Sequence, residues 1–125
     1  MTGEEFREVL LKMADAWARR DYGAAVEAFA PDVDYTDPLR YSFGSRDELR
    51  KFFENDEGYT QSTRWHTIIF DESKQTGAAE YTYEGTHRYH GLVLVKIEEG
   101  KIKQWREYQH IDPREWEEFI RATAF

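Results

Sequence analysis

The chain contains no cysteine, which removes disulfides, thiolate nucleophiles and thiolate metal ligands together. Positive charge is scarce: 17 Lys and Arg stand against 25 Asp and Glu, a formal net charge of −8. That balance argues against a nucleic-acid partner, whose backbone calls for a basic face, and against an anionic membrane surface. No hydrophobic run approaches the length of a membrane span, and Thr2 to Trp17 carries acids where a signal peptide would be basic and then apolar. The expected location is therefore cytoplasmic. Repeats, low-complexity runs and linkers are missing too, so residues 1–125 read as one domain.

What is present is aromatic. Eight Tyr, eight Phe and four Trp make up most of the large hydrophobic side chains. Thr2-Gly3-Glu4-Glu5 has the form of a capping box, after which Phe6, Leu10, Met13 and Trp17 recur at helical spacing. Asp21 caps a shorter second helix through Val26 and Phe29, ended by Pro31. Asp32 to Asp37 alternates as a short strand stopped by Pro38, and a loop through Arg40, Tyr41 and Phe43 follows. A second capping box, Ser45 to Glu48, starts a helix whose stripe is Leu49, Phe52 and Phe53. Trp65 to Phe70 is the next strand, and Asp112-Pro113 caps a final helix bearing Trp116, Phe119 and Ile120.

Between them, Gly77 to His110 reads as three consecutive strands. A three-residue loop, Glu98-Glu99-Gly100, sets Val95 opposite Lys103 and Val93 opposite Trp105. It puts Trp105, Glu107 and Gln109 on the face of Val93, Val95 and Ile97, whereas a two-residue loop would turn Ile102, Gln104 and Arg106 inward instead. The preceding strand carries Ala79, Tyr81 and Tyr83 on its inner side. The element order predicts an α+β domain, a curved antiparallel sheet wrapped by the N-terminal helices, with an extra C-terminal helix. An inner face of Tyr81, Tyr83, Trp105, Glu107 and Gln109 is unusually polar, because each buried hydroxyl or carboxylate needs a partner. That predicts a wet cavity.

Asp37, at a strand end, is the first candidate for acid–base chemistry, against a plain turn role before Pro38. Glu107 is the second: burial beside tyrosines and Trp105 would raise its pKa, although a hydrogen-bonded structural carboxylate reads equally from the sequence. His66 is placed inward, opposite Asp37, although Trp65, Thr67 and Ile69 alternate with His66, Ile68 and Phe70 almost symmetrically. Trp17, Tyr35 and Phe53 read as core and cavity wall together. Two of the four histidines, His87 and His90, sit at a strand end where they point apart, and no metal site is expected.

Four segments together resemble the NTF2-like superfamily in its SnoaL-like branch. They are Trp17 to Val33 (WARRDYGAAVEAFAPDV), Tyr35 to Pro38 (YTDP), Gly44 to Phe53 (GSRDELRKFF) and Gly100 to Tyr108 (GKIKQWREY). The resemblance implies a cone-shaped half-barrel with a ligand pocket at its mouth, usually in homodimers. It aligns Asp37 with the general base of ketosteroid isomerase. It also aligns Met13 and Val93 with that enzyme's oxyanion-hole donors, and neither can donate a hydrogen bond, which separates this chain from that enzyme. Three readings stay open. One is a cofactor-independent enzyme on a small organic molecule (isomerase, dehydratase, cyclase or hydrolase), with Asp37 as base and His66 or Glu107 as acid. The others are a non-catalytic small-molecule binder and a dimerisation module. Leu92 and Leu94 on the outer sheet face predict a homodimer through that face.

Overall fold

A computed structural model describes residues 1–124; Phe125 lies outside the described residues. The first helix, α1 (Gly3–Ala18), begins at Thr2, whose hydroxyl accepts from the Glu5 N–H while the Glu5 carboxylate accepts from the Thr2 N–H. Its buried stripe is Phe6, Leu10, Met13 and Trp17. The second helix, α2 (Tyr22–Val26), is capped by Asp21 and stops earlier than the sequence reading placed it. Phe29 has already joined the sheet: β1 (Phe29–Asp37) pairs Phe29 with Ile102, whose N–H donates to Ala28.

After a tight turn, β2 (Tyr41–Phe43) pairs back antiparallel on β1, where the sequence had suggested only loop. Next come α3 (Arg46–Glu54) and the meander β3 (Ser62–Asp71), β4 (Thr76–Glu84), β5 (Arg88–Glu98) and β6 (Lys101–Ile111). The last helix, α4, covers only Trp116–Ile120. Asp112 does not cap it: that carboxylate is turned onto the Arg114 N–H and guanidinium, and Glu115 takes the cap position.

One six-stranded sheet runs in the order β2-β1-β6-β5-β4-β3. The meander is antiparallel throughout, and β1 joins β6 in parallel, so the sheet is mixed. The hairpin between β5 and β6 differs from the expected register in an instructive way. Its loop is the two residues Glu99 and Gly100, both at positive φ (50° and 75°), and Ile97 faces Ile102 rather than Lys101. Such a turn would invert the next strand's faces, but a bulge between Ile97–Ile102 and Lys96–Gln104 restores them. Both Ile102 and Trp105 are therefore buried, Trp105 opposite Val95 and Glu107 opposite Val93.

Candidate functional site, an aromatic cavity around Glu107

The concave face of the sheet and the helices α1 and α3 enclose a cavity of about 210 Å³. Strand alternation supplies its floor. Tyr35 on β1, Trp105 and Glu107 on β6, Tyr81 on β4 and Trp65 on β3 all lie on this side, and Trp17 and Phe53 close it from the helices. The rings brace one another: Tyr35 stacks on Trp105 at 5.6 Å between centroids, and Trp65 meets Tyr81 edge-on at 5.4 Å. Tyr81 owes its position to Gly91, its cross-strand partner. A Cβ on Gly91 would stand 2.5 Å from the Tyr81 ring, so only glycine lets the phenol lie flat across β5 toward β6.

Among the described residues Glu107 is the one carboxyl on the cavity wall, and it is 5% exposed. Its neighbours are neutral donors: the Tyr41 hydroxyl donates to Oε1, and Trp105 Nε1 and the Tyr81 hydroxyl reach Oε2 at 3.2 and 3.3 Å. Among the described residues no cationic side chain pairs with it. Burial pushes the Glu107 carboxyl above its usual range; the bonds from Tyr41 and Trp105 oppose that shift, and the nearby charge of Asp37 adds to it. The same burial drives the Tyr35, Tyr41 and Tyr81 hydroxyls far above their ordinary value, so they serve as donors and not as phenolates.

The hydrogen bonds around Glu107 can accommodate a proton on it. Gln109 donates to Asp37 Oδ2 at 3.4 Å and to the Tyr41 oxygen at 3.3 Å, and its own carbonyl lies 3.1 Å from the Tyr81 hydroxyl. Tyr81 has a single proton to share between Gln109 and Glu107. If Glu107 is ionised it claims that proton, and the Gln109 carbonyl loses a partner. With Glu107 protonated, Glu107 donates to Tyr81, Tyr81 to Gln109 and Gln109 to Asp37, and every group is satisfied.

The structure places the sequence-nominated residues unevenly. Trp17, Tyr35, Phe53, Tyr81, Tyr83, Trp105, Glu107 and Gln109 line the cavity. Met13 and Val93 are buried in the core and do not reach its wall. Asp37 is 4% exposed but stands behind the wall, held by the Leu39 N–H at 3.0 Å, Gln109, and the Arg40 guanidinium at 3.7 Å. His66 is on the other side of the sheet altogether. Trp65 takes the inner position because its indole N–H is anchored on the Leu10 carbonyl of α1 at 2.9 Å. His66 bonds Thr82 at 2.8 Å and stacks at 4.0 Å on Trp116 of α4, so it makes no pair with Asp37.

That outer site has a pH signature. Burial, aided by Arg64, holds the His66 pKa down to about 4 from its ordinary 6.5, with Glu117 opposing. Between those values the unfolded chain binds a proton that the folded one refuses. Stability is therefore expected to be complete above pH 6.5 and to decline as pH drops toward about 4. Chemical denaturation across that range should show a shallower slope for His66→Gln than for the native chain; equal slopes would contradict the assignment.

Sequence reasoning missed Tyr22, Tyr41, Tyr59, Gln61, Thr63, Thr86 and Tyr89 on the wall. For Tyr41 a signal existed: Tyr41 and Phe43 alternate around Ser42 directly after a Pro38 turn, the outline of a short return strand. Thr63 and Tyr89 extend the inner alternation of β3 and β5, two residues before Trp65 and Gly91, whereas Tyr59, Gln61 and Thr86 come from loops that carry no periodicity. Two atoms of the wall residues, Trp17 Nε1 and Thr63 Oγ1, are buried with no hydrogen-bond partner among the described residues.

A helix-wrapped, unclosed curved sheet with a cavity at its concave face defines an NTF2-like cone. Residues 10–105 match the SnoaL-like domain, and the chain belongs to that family. No curated protein matches its sequence. Among solved structures it is similar to an LEH-like epoxide hydrolase of M. tuberculosis, at 15% identity and TM-score 0.73, covering 86% of this chain and 84% of that one. An NTF-2-like protein of unknown function from Burkholderia xenovorans is 18% identical at TM-score 0.76, covering 98% and 94%. A protein of ketosteroid isomerase-like fold from Catenulispora acidiphila, in complex with trimethylamine, is 16% identical at TM-score 0.70, covering 81% and 84%. At such identities the likeness is one of fold. Among the described residues no helix is long and apolar enough to cross a membrane.

Proposed function

We propose that the aromatic cavity takes up a small organic molecule and that Glu107 exchanges a proton with it, without a cofactor. The supporting observation is the state of Glu107: the one carboxyl on the wall, buried, without a cation, and surrounded by neutral donors. A group so placed is a proton donor in the free protein and a base once it has given its proton up. In this reading Asp37, expected from the sequence to be the base, is the far end of the hydrogen-bond chain through Gln109 and acts as a positioning residue. The trimethylamine complex of the Catenulispora acidiphila protein supports the capacity of such a fold to hold a small molecule.

The test begins with a thermal-shift screen of small organic molecules, repeated on Thr63→Trp, which fills the cavity. Authentic ligands stabilise the native chain and lose their effect in the filled variant. For a molecule that is turned over, Glu107→Gln is expected to lower turnover by about 10²- to 10⁴-fold while leaving binding largely intact. Asp37→Asn should shift the pH profile of turnover and leave binding intact. Unchanged turnover in Glu107→Gln would remove Glu107 from the chemistry. A second reading, a non-catalytic binder, is favoured by one observation: both Glu107 and Asp37 already have hydrogen-bond partners within the protein. It predicts ligands that shift the melting temperature and are recovered unaltered.

We also propose a homodimer through the outer sheet face, with the protein working in the cytoplasm. Leu92 and Tyr108 are paired across β5 and β6 and stand 41% and 48% exposed, beside the patch covered by α4. Sedimentation at micromolar concentration should give a dimer, and Leu92→Asp a monomer. A native chain that sediments as a monomer contradicts this.

A further inference from the structure

The wall of the cavity is more one-sided than an apolar pocket requires. Twelve of its residues are Trp, Tyr or Phe, and the rest are Gln61, Thr63, Thr86, Glu107 and Gln109. There is no aliphatic side chain, lysine, arginine or histidine among the described residues that line it. A neutral hydrocarbon would be held as well by leucine or isoleucine. An aromatic wall adds something those residues lack, the negative quadrupole of the ring faces, which attracts cations. The molecule already carries one instance at the rim, where the Arg40 guanidinium sits 5.0 Å from the centre of the Tyr89 ring.

We propose that the ligand of this cavity is a compact organic cation, an alkylammonium of about the size of choline. The inference rests on the small-molecule reading above and narrows it. Among the described residues, the only group on the wall that can take a formal negative charge at neutral pH is Glu107, and no side chain supplies a counter-charge for it. A carboxylate or phosphate ligand would be buried beside the Glu107 carboxyl with no cation among the described wall residues to offset it. An ammonium is balanced instead by Glu107 itself, once that carboxyl gives up its proton. The chain's net charge of −8 draws cations toward the protein, and about 210 Å³ suits a small ion better than a drug-sized molecule.

The charge balance fixes what must accompany binding. In the free protein burial favours the protonated form of Glu107. As the ammonium enters, the Glu107 O–H bond breaks, the proton passes to solvent and the carboxylate pairs with the cation. The groups facing Glu107 are Tyr35 from β1, Tyr41 from β2, Tyr81 from β4, and Trp105 from β6. Asp37, offset by Arg40, stands behind Gln109. None of these replaces the cation.

Calorimetric titration of the native chain with choline and with its neutral carbon isostere, 3,3-dimethylbutan-1-ol, isolates the charge. Choline should bind at least about tenfold more tightly. Its affinity should rise with pH, with proton release seen as a dependence of the heat on the buffer's ionisation enthalpy. Glu107→Gln should bring choline down to the level of the alcohol. Equal or tighter binding of the alcohol, or a choline affinity flat with pH, overturns the cation while leaving a small-molecule cavity in place. Binding of neither compound at millimolar concentration overturns the proposal and weighs against the cavity reading as well. The native pH series needs no variant, so a poorly folded Glu107→Gln would not shield the proposal.

Discussion

Trp105→Ala is expected to be the most damaging single substitution in the chain, costing about 3–5 kcal/mol of a total stability on the order of 5–15 kcal/mol. Trp105 is 1% exposed and ties three layers together. Its ring lies parallel to Tyr35, meets Phe29 at 5.7 Å and Trp65 at 6.2 Å, and faces Trp17 from α1 at 6.5 Å. Truncation leaves a void that merges with the cavity, so the surrounding rings cannot collapse into it without closing the site. It also removes the indole N–H from Glu107 Oε2. Trp105→Phe keeps much of the ring and loses that bond, which should limit the cost to about 1–2 kcal/mol. Urea denaturation measures both. A Trp105→Ala chain within 1 kcal/mol of the native one, by the core-truncation scale, would mean that the ring is not the keystone described.

Gly91→Ala is the second large effect, and it reaches the site without touching a site residue. The added methyl would meet the Tyr81 ring at 2.5 Å and its hydroxyl at 2.6 Å. Tyr81 is 4% exposed and braced by Trp65, so it cannot swing aside freely. The expected cost is about 1–3 kcal/mol from overpacking, with loss of the Tyr81 bonds to Glu107 and Gln109. A smaller side chain at the crowded position should relieve it: Gly91→Ala in a Tyr81→Leu background is expected to cost much less than in the native chain. Additive costs would show that the two residues do not conflict.

These two residues also mark what could be read from the sequence. Strand alternation puts Trp105, Glu107 and Gln109 on one face with Tyr81, because a period of two is a local property. The way the chain arrives at that face was not legible. The hairpin uses a shorter loop and a compensating bulge, two irregularities that cancel in side-chain direction but shift the register. Trp65 and His66 could not be separated because either alternation suits β3 equally. The choice is made by contacts far along the chain, Leu10 for Trp65 and Trp116 for His66. Asp37 was legible as a buried strand-end acid. Its withdrawal behind Gln109 depends on Arg40 and Leu39 folding back over it, a matter of turn geometry. Tyr41 reaches Glu107 from 66 positions away, a distance no local pattern spans.

The central claim is that burial raises the pKa of Glu107 on the wall of an aromatic cavity. Carbon-13 labelling of the glutamate side chains, with the Glu107 carboxyl resonance assigned by its disappearance in Glu107→Gln, follows that proton directly as pH is changed. The account predicts a midpoint for Glu107 clearly above the ordinary 4.5, set apart from the exposed glutamates. A midpoint at or below 4.5 would show an ionised carboxylate held by its donors, and the proton-exchange and cation proposals would both be contradicted.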